Sequence, residues 1–365
     1  MRLRISSIFE LAGPIFILLS FARFYVVNPN AQLLVAVLIL AIGSAYAVLA
    51  ASIGSFNVSI SLVMAAFLTL SLVNSIAGNN FSVISALQFS ANMGYAWAIA
   101  RSPLPARLYL VVTLVLVLIF VAHGVSGVDP EEVFSISRNY ISTLMVLSVS
   151  LYYISCGRNR LQPRSVVPIS MALVCLWGIG RSGIISSIIV LAGTVFLSKA
   201  GNRIKFAMAA VVVAISILMI PQAQNLVETL STGIERFERL SDSGPDAREL
   251  VISEYIGQVT ERIGYLLFAP PAEGVQAIVA LDGNPHNAYI SLHLSFGLLG
   301  ILLFLSLAIY SFWKLTWSGN HYASLALLVS MFRSFFDSTA FHGPLDVAIF
   351  SCIFIVLLRV NTRAP

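Results

Sequence analysis

A histidine at the point where a long polar segment meets an apolar run is the residue best suited to chemistry in this chain. His286 stands in Asn-Pro-His-Asn-Ala-Tyr, directly before an apolar run that begins near residue 289. Imidazole exchanges protons near neutral pH and is costly to bury without a partner. His286 is therefore a candidate catalytic base, with Asn287 and Tyr289 as supporting residues. The alternative is an interfacial histidine beside Asn287, which would cap the helix; His293 fits packing better than chemistry.

Two arginines are candidates for binding an anion. Arg181 lies in Trp-Gly-Ile-Gly-Arg-Ser-Gly between two apolar runs, where Gly178, Gly180 and Gly183 leave room for a ligand or for close helix packing. Arg248 follows a Pro-Asp turn in the long polar segment. A guanidinium group binds phosphate through two parallel hydrogen bonds. The structural alternatives are an Arg181 that extends its charge to the interface and an Arg248 paired with acids on an exposed helix.

Arg333 and Asp337 form a further candidate pair near the end of a late apolar run. Their i, i+4 spacing predicts that they pair with each other, either stiffening a site or lining it. His342 in the following loop is a weaker candidate, and nothing specific supports a role for Glu10 or Arg23. Arg236 and Arg239 fit a solvated helix face better than a site.

Composition places these residues in a membrane protein. The 365 residues are 58% hydrophobic and 10% charged, with a mean hydropathy of +0.91. Apolar runs of roughly 15–24 residues recur along the chain, each close to the length that crosses a bilayer. We expect an all-α, polytopic helical bundle forming one membrane domain over residues 1–365. The first run lacks a cleavage site and is expected to stay as a helix.

The charge pattern gives a topology of about twelve spans. They are predicted at 6–26, 31–53, 58–76, 81–100, 108–122, 141–155, 165–179, 184–198, 206–220, 289–312, 322–336 and 347–358. With both termini in the cytoplasm, the cytoplasmic segments carry Arg and Lys and no acid. All of the 16 acids except Glu10 fall in or beside the opposite loops, which supports this orientation.

One long loop, residues 221–285, is predicted on the external side. Its acids outnumber its basic residues ten to four. Two amphipathic helices are expected in it, folded over the mouth of the bundle. The first would bury Leu226, Leu230, Ile234 and Phe237; the second, starting after Ser243-Gly244-Pro245-Asp246, would bury Leu250, Ile256, Val259 and Ile263. Beyond the loop, Gly297 and Gly300 are expected to permit tight contact with a neighbouring helix.

The order of these motifs resembles a known family. An Arg among glycines, a long loop with an Arg after a Pro-Asp turn, and a His-Asn-x-Tyr motif followed by two glycines resemble the O-antigen polymerase (Wzy-type) and O-antigen ligase superfamily of bacterial surface-polysaccharide enzymes. The resemblance covers roughly residues 175–340. The segment Pro270-Pro271-Ala272-Glu273-Gly274 departs from it, since relatives often have a more glycine-rich turn there.

The resemblance implies a metal-independent glycosyltransferase that uses no cofactor. Its donor would be an oligosaccharide on a polyprenyl diphosphate, and its acceptor another glycan. Arg181 and Arg248 would hold the diphosphate, and His286 would contact the acceptor hydroxyl or the reacting end of the donor. It also implies the bacterial inner membrane, an active site facing the periplasm, and a flippase and a chain-length regulator as partners. No nucleic acid is expected, because the basic residues sit in short loops.

Several alternatives stay open at this stage. A polymerase and a ligase would differ only in the acceptor, which is a second lipid-linked repeat unit for the first and lipid A-core for the second. A transporter or a lipid-linked glycan flippase also suits twelve spans, although the loop Gly54-Ser55-Phe56-Asn57 lacks the charges common in major-facilitator carriers. A peptidoglycan polymerase would be expected to rely on an acidic loop residue more than on a histidine.

Overall fold

A computed structural model describes most of the chain outside the long loop. The described residues are 5–52, 57–78, 83–102, 104–134, 137–178, 180–198, 247–281 and 283–361. Predictions for the span 206–220, for the first amphipathic helix at 226–237, and for Arg236 and Arg239 lie outside these ranges. Within them the secondary structure is helical, with no strand.

Sixteen α helices occur in the described ranges. In chain order they are α1 (Ile5–Glu10), α2 (Ala12–Tyr25), α3 (Pro29–Ser52), α4 (Val58–Gly78), α5 (Val83–Arg101), α6 (Ala106–Val125), α7 (Pro130–Val133), α8 (Asn139–Arg158), α9 (Val166–Trp177), α10 (Arg181–Leu197), α11 (Ala247–Glu261), α12 (Ile263–Phe268), α13 (Gln276–Val279), α14 (Ala288–Trp317), α15 (His321–Phe335) and α16 (Leu345–Asn361). A short 3-10 turn covers Ala272–Gly274.

The protein is an all-helical membrane protein. Six segments of the described residues are long and apolar enough to cross a bilayer, namely Ser7–Tyr25, Pro29–Ser52, Val58–Ala77, Ala106–Val125, Asn139–Arg158 and Ala288–Trp317. Val166–Trp177, Ser182–Leu197 and Leu345–Leu358 are shorter apolar helices. Large apolar side chains such as Leu33, Leu62 and Leu118 face outward, as lipid contact requires. The number of spans and the external loop stay predictions.

The first predicted span is divided into two helices. α1 ends at Glu10 and α2 begins at Ala12. Pro14 has no backbone N–H to donate to the Glu10 carbonyl, so the hydrogen-bond ladder is interrupted at this point. The ladder resumes at once, because the Ile15 N–H donates to the Leu11 carbonyl at 2.9 Å.

Helix α8 lies at the centre of the bundle. Ile141 through Gly157 are all buried, and α8 packs against α2, α6, α9, α10, α15 and α16. Serine and threonine residues along it permit close approach of its neighbours. One of them, Ser150, pairs with Ser330 of α15 at an Oγ–Oγ distance of 3.1 Å. The length of α8 from Ile141 to Gly157 is therefore enclosed by neighbouring helices.

Helix α14 contains a break at Gly297. This residue has φ 65° and ψ −172°, a backbone conformation that favours glycine. A side chain here would collide with the Leu267 carbonyl, while Asn74 of α4 donates to the Leu294 carbonyl at 2.7 Å. The prediction of close contact is confirmed for Gly297. It is wrong for Gly300, which makes room for Phe296 one turn earlier in its own helix.

Helix α11 is the second predicted amphipathic helix, but it buries a different face. Leu250, Ile256 and Ile263 were expected inside and are 44%, 55% and 83% exposed. Val251 and Tyr255 are buried instead. They join a small cluster with Val259, Val275, Ala277, Ile278, Leu281, Ile290 and Leu294. Val251, Tyr255 and Val259 follow an i, i+4 spacing and form the face of α11 that packs toward α13 and α14. Helix α11 ends at Glu261, so Ile263 is not part of it.

Candidate functional site

A tight turn holds His286 at the start of α14. His286 has a φ of 48°, and its backbone N–H donates to Asn284 Oδ1 at 2.9 Å. Asn287 caps the helix, because its Oδ1 accepts from the N–H groups of Tyr289 at 2.8 Å and Ile290 at 3.2 Å. The predicted capping by Asn287 is confirmed. It uses no atom of the His286 ring, so capping does not occupy the imidazole.

The His286 ring faces the Asp337 carboxylate and is partly exposed. Its side chain is 30% exposed, and Nδ1 lies 3.8 Å from Asp337 Oδ1. That separation is too long for a hydrogen bond. Nδ1 is buried and has no hydrogen-bond partner among the described residues. A small movement of the ring would complete the contact, so Asp337 is placed to orient the imidazole and to stabilise its charged form.

Asp337 is held by a buried arginine. Arg333 Nη2 lies 3.5 Å from Asp337 Oδ2, which confirms the predicted i, i+4 pair. The same nitrogen donates to the Asn139 carbonyl at 3.2 Å, to Ser142 Oγ at 3.3 Å and to Thr143 Oγ1 at 3.2 Å. The Arg333 side chain is fully buried. Of the two predicted roles, this geometry fits stiffening: Arg333 fixes Asp337 to the first turn of α8.

Asp337 is ionised at neutral pH. Burial would raise the pKa of this carboxyl, but His286, the positive charge of Arg333 and the Ser338 N–H together hold the pKa below its usual value. The Ser338 N–H donates to Asp337 Oδ1 at 2.9 Å. The carboxylate therefore carries a negative charge beside the imidazole, which is the arrangement that supports a histidine accepting a proton.

Tyr289 connects α14 to α15 next to His286, Asp337 and Arg333. Its hydroxyl donates to the Met331 carbonyl at 3.2 Å. Its ring packs against Phe335 and Phe341 at centroid distances of 6.0 and 6.3 Å. Tyr289 thus fixes the distance between the helix that carries His286 and the helix end that precedes Asp337.

Helix α10 starts beside the same turn of α8. It begins at Arg181, with Gly180 as the preceding residue. A Cβ on Gly183 would collide with Ser142, the residue that accepts from Arg333, and one on Gly180 would lie 3.5 Å from Asn139 Oδ1. The glycines around Arg181 therefore allow the backbone of α10 to lie close to the α8 residues that contact Arg333.

The structure places the two predicted phosphate-binding residues by their backbones alone. Arg181 lies at the start of α10 and Arg248 near the start of α11. Val251 and Tyr255 of α11 pack in one hydrophobic cluster with Ile290 of α14, which lies one turn after His286. Both helix starts thus approach the end of the bundle that carries His286, and their phosphate contacts stay predictions.

A further arginine at this end was only a weak candidate from the sequence. Phe24 stacks on Tyr140 at 3.9 Å, which brings the end of α2 to the start of α8. Arg23 lines a small hollow together with Phe16, Ser20, Phe24, Ile39, Gln88, Asn92 and Pro344. A polar residue at the end of an apolar helix was the only sequence signal for it.

His342 has a structural role in the loop between α15 and α16. Its carbonyl accepts from Gln88 Nε2 at 2.7 Å, and its N–H donates to Asp346 Oδ2 at 2.9 Å. Asp346 also accepts from the Phe341 N–H at 2.6 Å and from Asn92 Nδ2 at 3.1 Å. Burial lowers the pKa of His342 to about 4, so the ring is neutral at pH 7. These bonds shape the loop that carries Asp337.

His293 is a packing residue, as the sequence indicated. It is 5% exposed. Nδ1 shares a hydrogen bond with the Tyr255 hydroxyl at 2.7 Å, and Nε2 lies 2.8 Å from the Leu266 carbonyl. Both ring nitrogens are therefore used to attach α11 and α12 to α14.

Among the described residues, no three His, Cys, Asp or Glu side chains come together as metal ligands. The expectation of a metal-independent, cofactor-free reaction stays a prediction. Searches of family models, curated proteins and solved structures found no match to this chain.

Proposed function

We propose that this protein is a membrane glycosyltransferase that joins lipid-linked oligosaccharide repeat units into a surface polysaccharide. The observation that carries the proposal is the His286–Asp337–Arg333 arrangement at one end of a membrane bundle. A partly exposed imidazole faces an ionised carboxylate that a buried arginine holds in place. Donors of this class keep their lipid anchor in the bilayer and their sugar in water, so an active site at a bundle end suits them.

His286 acts as the base in the proposed reaction. The acceptor hydroxyl gives its proton to the imidazole while its oxygen forms a bond to the anomeric carbon of the donor. The bond from that carbon to the diphosphate breaks, and the electron pair leaves with the polyprenyl diphosphate. Proton transfer to a positioned histidine is worth roughly 10²–10⁴ in rate. Asp337 stabilises the imidazolium that forms.

Arg181 and Arg248 hold the diphosphate in this proposal. Negative charge builds on the leaving oxygen as the glycosidic bond breaks, and fixed guanidinium groups stabilise it. Loss of one such contact typically costs about 10²–10³ in rate. The support is positional: α10 begins with Arg181 next to the α8 turn that holds Arg333.

The proposed setting follows from the resemblance stated above. The enzyme would lie in a bacterial inner membrane with both termini in the cytoplasm and the site facing the periplasm. A flippase would supply the lipid-linked repeat unit, and a chain-length regulator would act with the enzyme. The closest alternative is an O-antigen ligase, which would use the same site to transfer a finished glycan to lipid A-core.

Deletion of the protein, followed by electrophoresis of the surface glycan, tests the proposal. Collapse of the glycan ladder to a single repeat unit is the expected result. Free polymer that stays on its carrier lipid would assign the ligase reaction instead. An unchanged glycan ladder would contradict both, and complementation with the wild-type chain controls for effects on neighbouring genes.

A further inference from the structure

Helix α12 contacts α14 between His293 and Gly297, more than one helical turn after α14 begins. The Leu266 carbonyl lies 2.8 Å from His293 Nε2. The next carbonyl, that of Leu267, occupies the space that a side chain on Gly297 would fill. α12 is therefore level with residues 293–297 of α14 rather than with its start at Ala288.

The other end of α14 shows where those residues lie in the bilayer. Trp313 and Trp317 stack at 5.4 Å and are 58% and 75% exposed. Lys314 lies over the Tyr310 ring at 5.7 Å. Exposed Trp and Tyr beside Lys are typical of the membrane–water interface. A hydrocarbon core of about 30 Å needs roughly 20 helical residues, and this distance counted back from Trp313 reaches His293.

The exposed surface of α12 is apolar. Ile263 is 83% exposed, and Leu266 and Leu267 are 42% and 43% exposed. At the preceding residue, the Arg262 guanidinium lies over the Tyr265 ring at 5.4 Å. An arginine and a tyrosine side by side are the residues that anchor a segment at the interface, while the neighbouring leucines face hydrocarbon.

Several backbone groups of α12 are hydrogen bonded, as contact with lipid requires of polar groups. The Tyr265 N–H donates to the Arg262 carbonyl at 2.9 Å, and the Ala269 N–H donates to the Tyr265 carbonyl at 3.0 Å. The Leu266 carbonyl lies within hydrogen-bond distance of His293 Nε2. Each of these bonds lowers the cost of placing this segment in hydrocarbon.

The apolar surface of α12 continues onto membrane helices. α12 packs against α4 as well as α14. Near the same end of α4, Leu72 and Ile76 are 53% and 78% exposed, and on α14 Leu299 is 58% exposed. A helix that packs against two lipid-facing helices at the hydrocarbon boundary is expected to contact the same lipid as they do.

We propose that Ile263–Phe268 is a re-entrant segment whose exposed face, formed by Ile263, Leu266 and Leu267, contacts the acyl chains of bilayer lipids. This inference goes beyond the proposed function and does not depend on it. The sequence predicts a wholly external loop over 221–285; the proposal instead embeds the six residues of α12 in the membrane.

Spin labels on single cysteines test the proposal in the full chain reconstituted into phosphatidylcholine vesicles. The native cysteines, Cys156, Cys175 and Cys352, are buried. Labels are placed at Ile263→Cys and Leu267→Cys. Leu299→Cys on α14 serves as the lipid control, and Glu273→Cys, at an exposed glutamate in the 3-10 turn, serves as the water control. Collision rates with oxygen, which concentrates in lipid, and with a water-soluble nickel chelate are compared at each position.

The expected result is that labels at Ile263 and Leu267 collide more often with oxygen than with nickel, as at Leu299. The label at Glu273 should show the reverse. Preferential collision with nickel at both test positions would overturn the proposal and leave α12 in water. Exclusion of both reagents would also overturn it, because another part of the protein would then cover the face.

Discussion

Two histidines on one helix, His286 and His293, have opposite environments. His293 is 5% exposed and has both ring nitrogens hydrogen bonded. The side chain of His286 is 30% exposed, and its Nδ1 lies 3.8 Å from a carboxylate without a hydrogen bond. A histidine with every hydrogen bond made has no capacity left for a substrate. One held near a carboxylate, with part of its ring open, is ready to exchange a proton.

The difference comes from the neighbours that each part of α14 meets. At its first residues, α14 faces the end of α15 and the loop that carries Asp337. Two turns later it faces α12 and the hydroxyl of Tyr255. One stretch of helix therefore serves both as the edge of a candidate site and as an attachment point. Substitutions that separate activity from stability can test this division.

The largest expected effect on activity is that of His286→Ala. Transfer from a purified lipid-linked repeat unit should fall by roughly 10²–10⁴, because the proton acceptor is lost. The melting temperature should change only slightly, since the ring makes no hydrogen bond among the described residues and acts on stability only through its electrostatic contact with Asp337. The matched control is His321→Ala, an exposed histidine at the opposite end of α15, which should keep wild-type transfer. Wild-type activity in His286→Ala would remove His286 from the mechanism.

Arg181→Lys tests geometry at constant charge. We expect a loss of about 10²–10³ in the rate of transfer, because Lys cannot form the planar two-bond contact with a diphosphate. Arg262→Lys, at an arginine beside α12, is the matched control and should transfer at the wild-type rate. If Arg181→Lys also transferred at that rate, the bidentate phosphate role would be wrong.

Asp337 should make stability depend on pH in the acid range. Its pKa is lowered in the folded state, so its contribution is fully present above the unfolded value of about 3.9. That contribution is lost as the pH falls through the lower folded pKa. Thermal unfolding of the wild type and Asp337→Asn between pH 3 and pH 7 measures it.

The gap in melting temperature between wild type and Asp337→Asn should be widest near neutral pH and narrow as the pH falls below about 4. Glu273→Gln, at an exposed glutamate, should track the wild type. A gap that stays constant across this range would mean that the Asp337 charge contributes nothing to the folded state.

Tyr255→Phe should have the smallest effect on transfer and a measurable effect on stability. It leaves His293 Nδ1 without its partner, which costs about 1–3 kcal/mol in the free energy of unfolding. Tyr265→Phe on the neighbouring helix is the matched control and should change neither quantity. A large loss of transfer in Tyr255→Phe, with unchanged stability, would assign chemistry to His293 and reverse the comparison.

The membrane class and most helix positions could be predicted from hydrophobic runs alone, because each run must satisfy its backbone within lipid. The i, i+4 pairing of Arg333 with Asp337 and the cap at Asn287 were also predictable, since both are local in sequence. Local rules could likewise have predicted the interruption between α1 and α2, because Pro14 cannot donate to the Glu10 carbonyl. The predicted single span is not affected, since Ser7–Tyr25 is long and apolar enough to cross the membrane as one segment.

Contacts between distant residues could not be predicted from one sequence. The approach of Asp337 to His286, the bonds from Arg333 to the first turn of α8, and the stack of Phe24 on Tyr140 join segments far apart in the chain. The buried face of α11 was mispredicted for the same reason. Leu250 and Ile256 are as apolar as Val251, and only the position of α13 and α14 decides which of them is covered.

In the proposed reaction, His286 faces the donor and His293 does not. Diethyl pyrocarbonate modification, measured at each histidine by mass spectrometry with and without saturating lipid-linked repeat unit, distinguishes the two. We expect His286 to react much faster than His293 and the donor to slow the reaction of His286 strongly. Equal rates at the two histidines, or a His286 rate that the donor leaves unchanged, would rule this out.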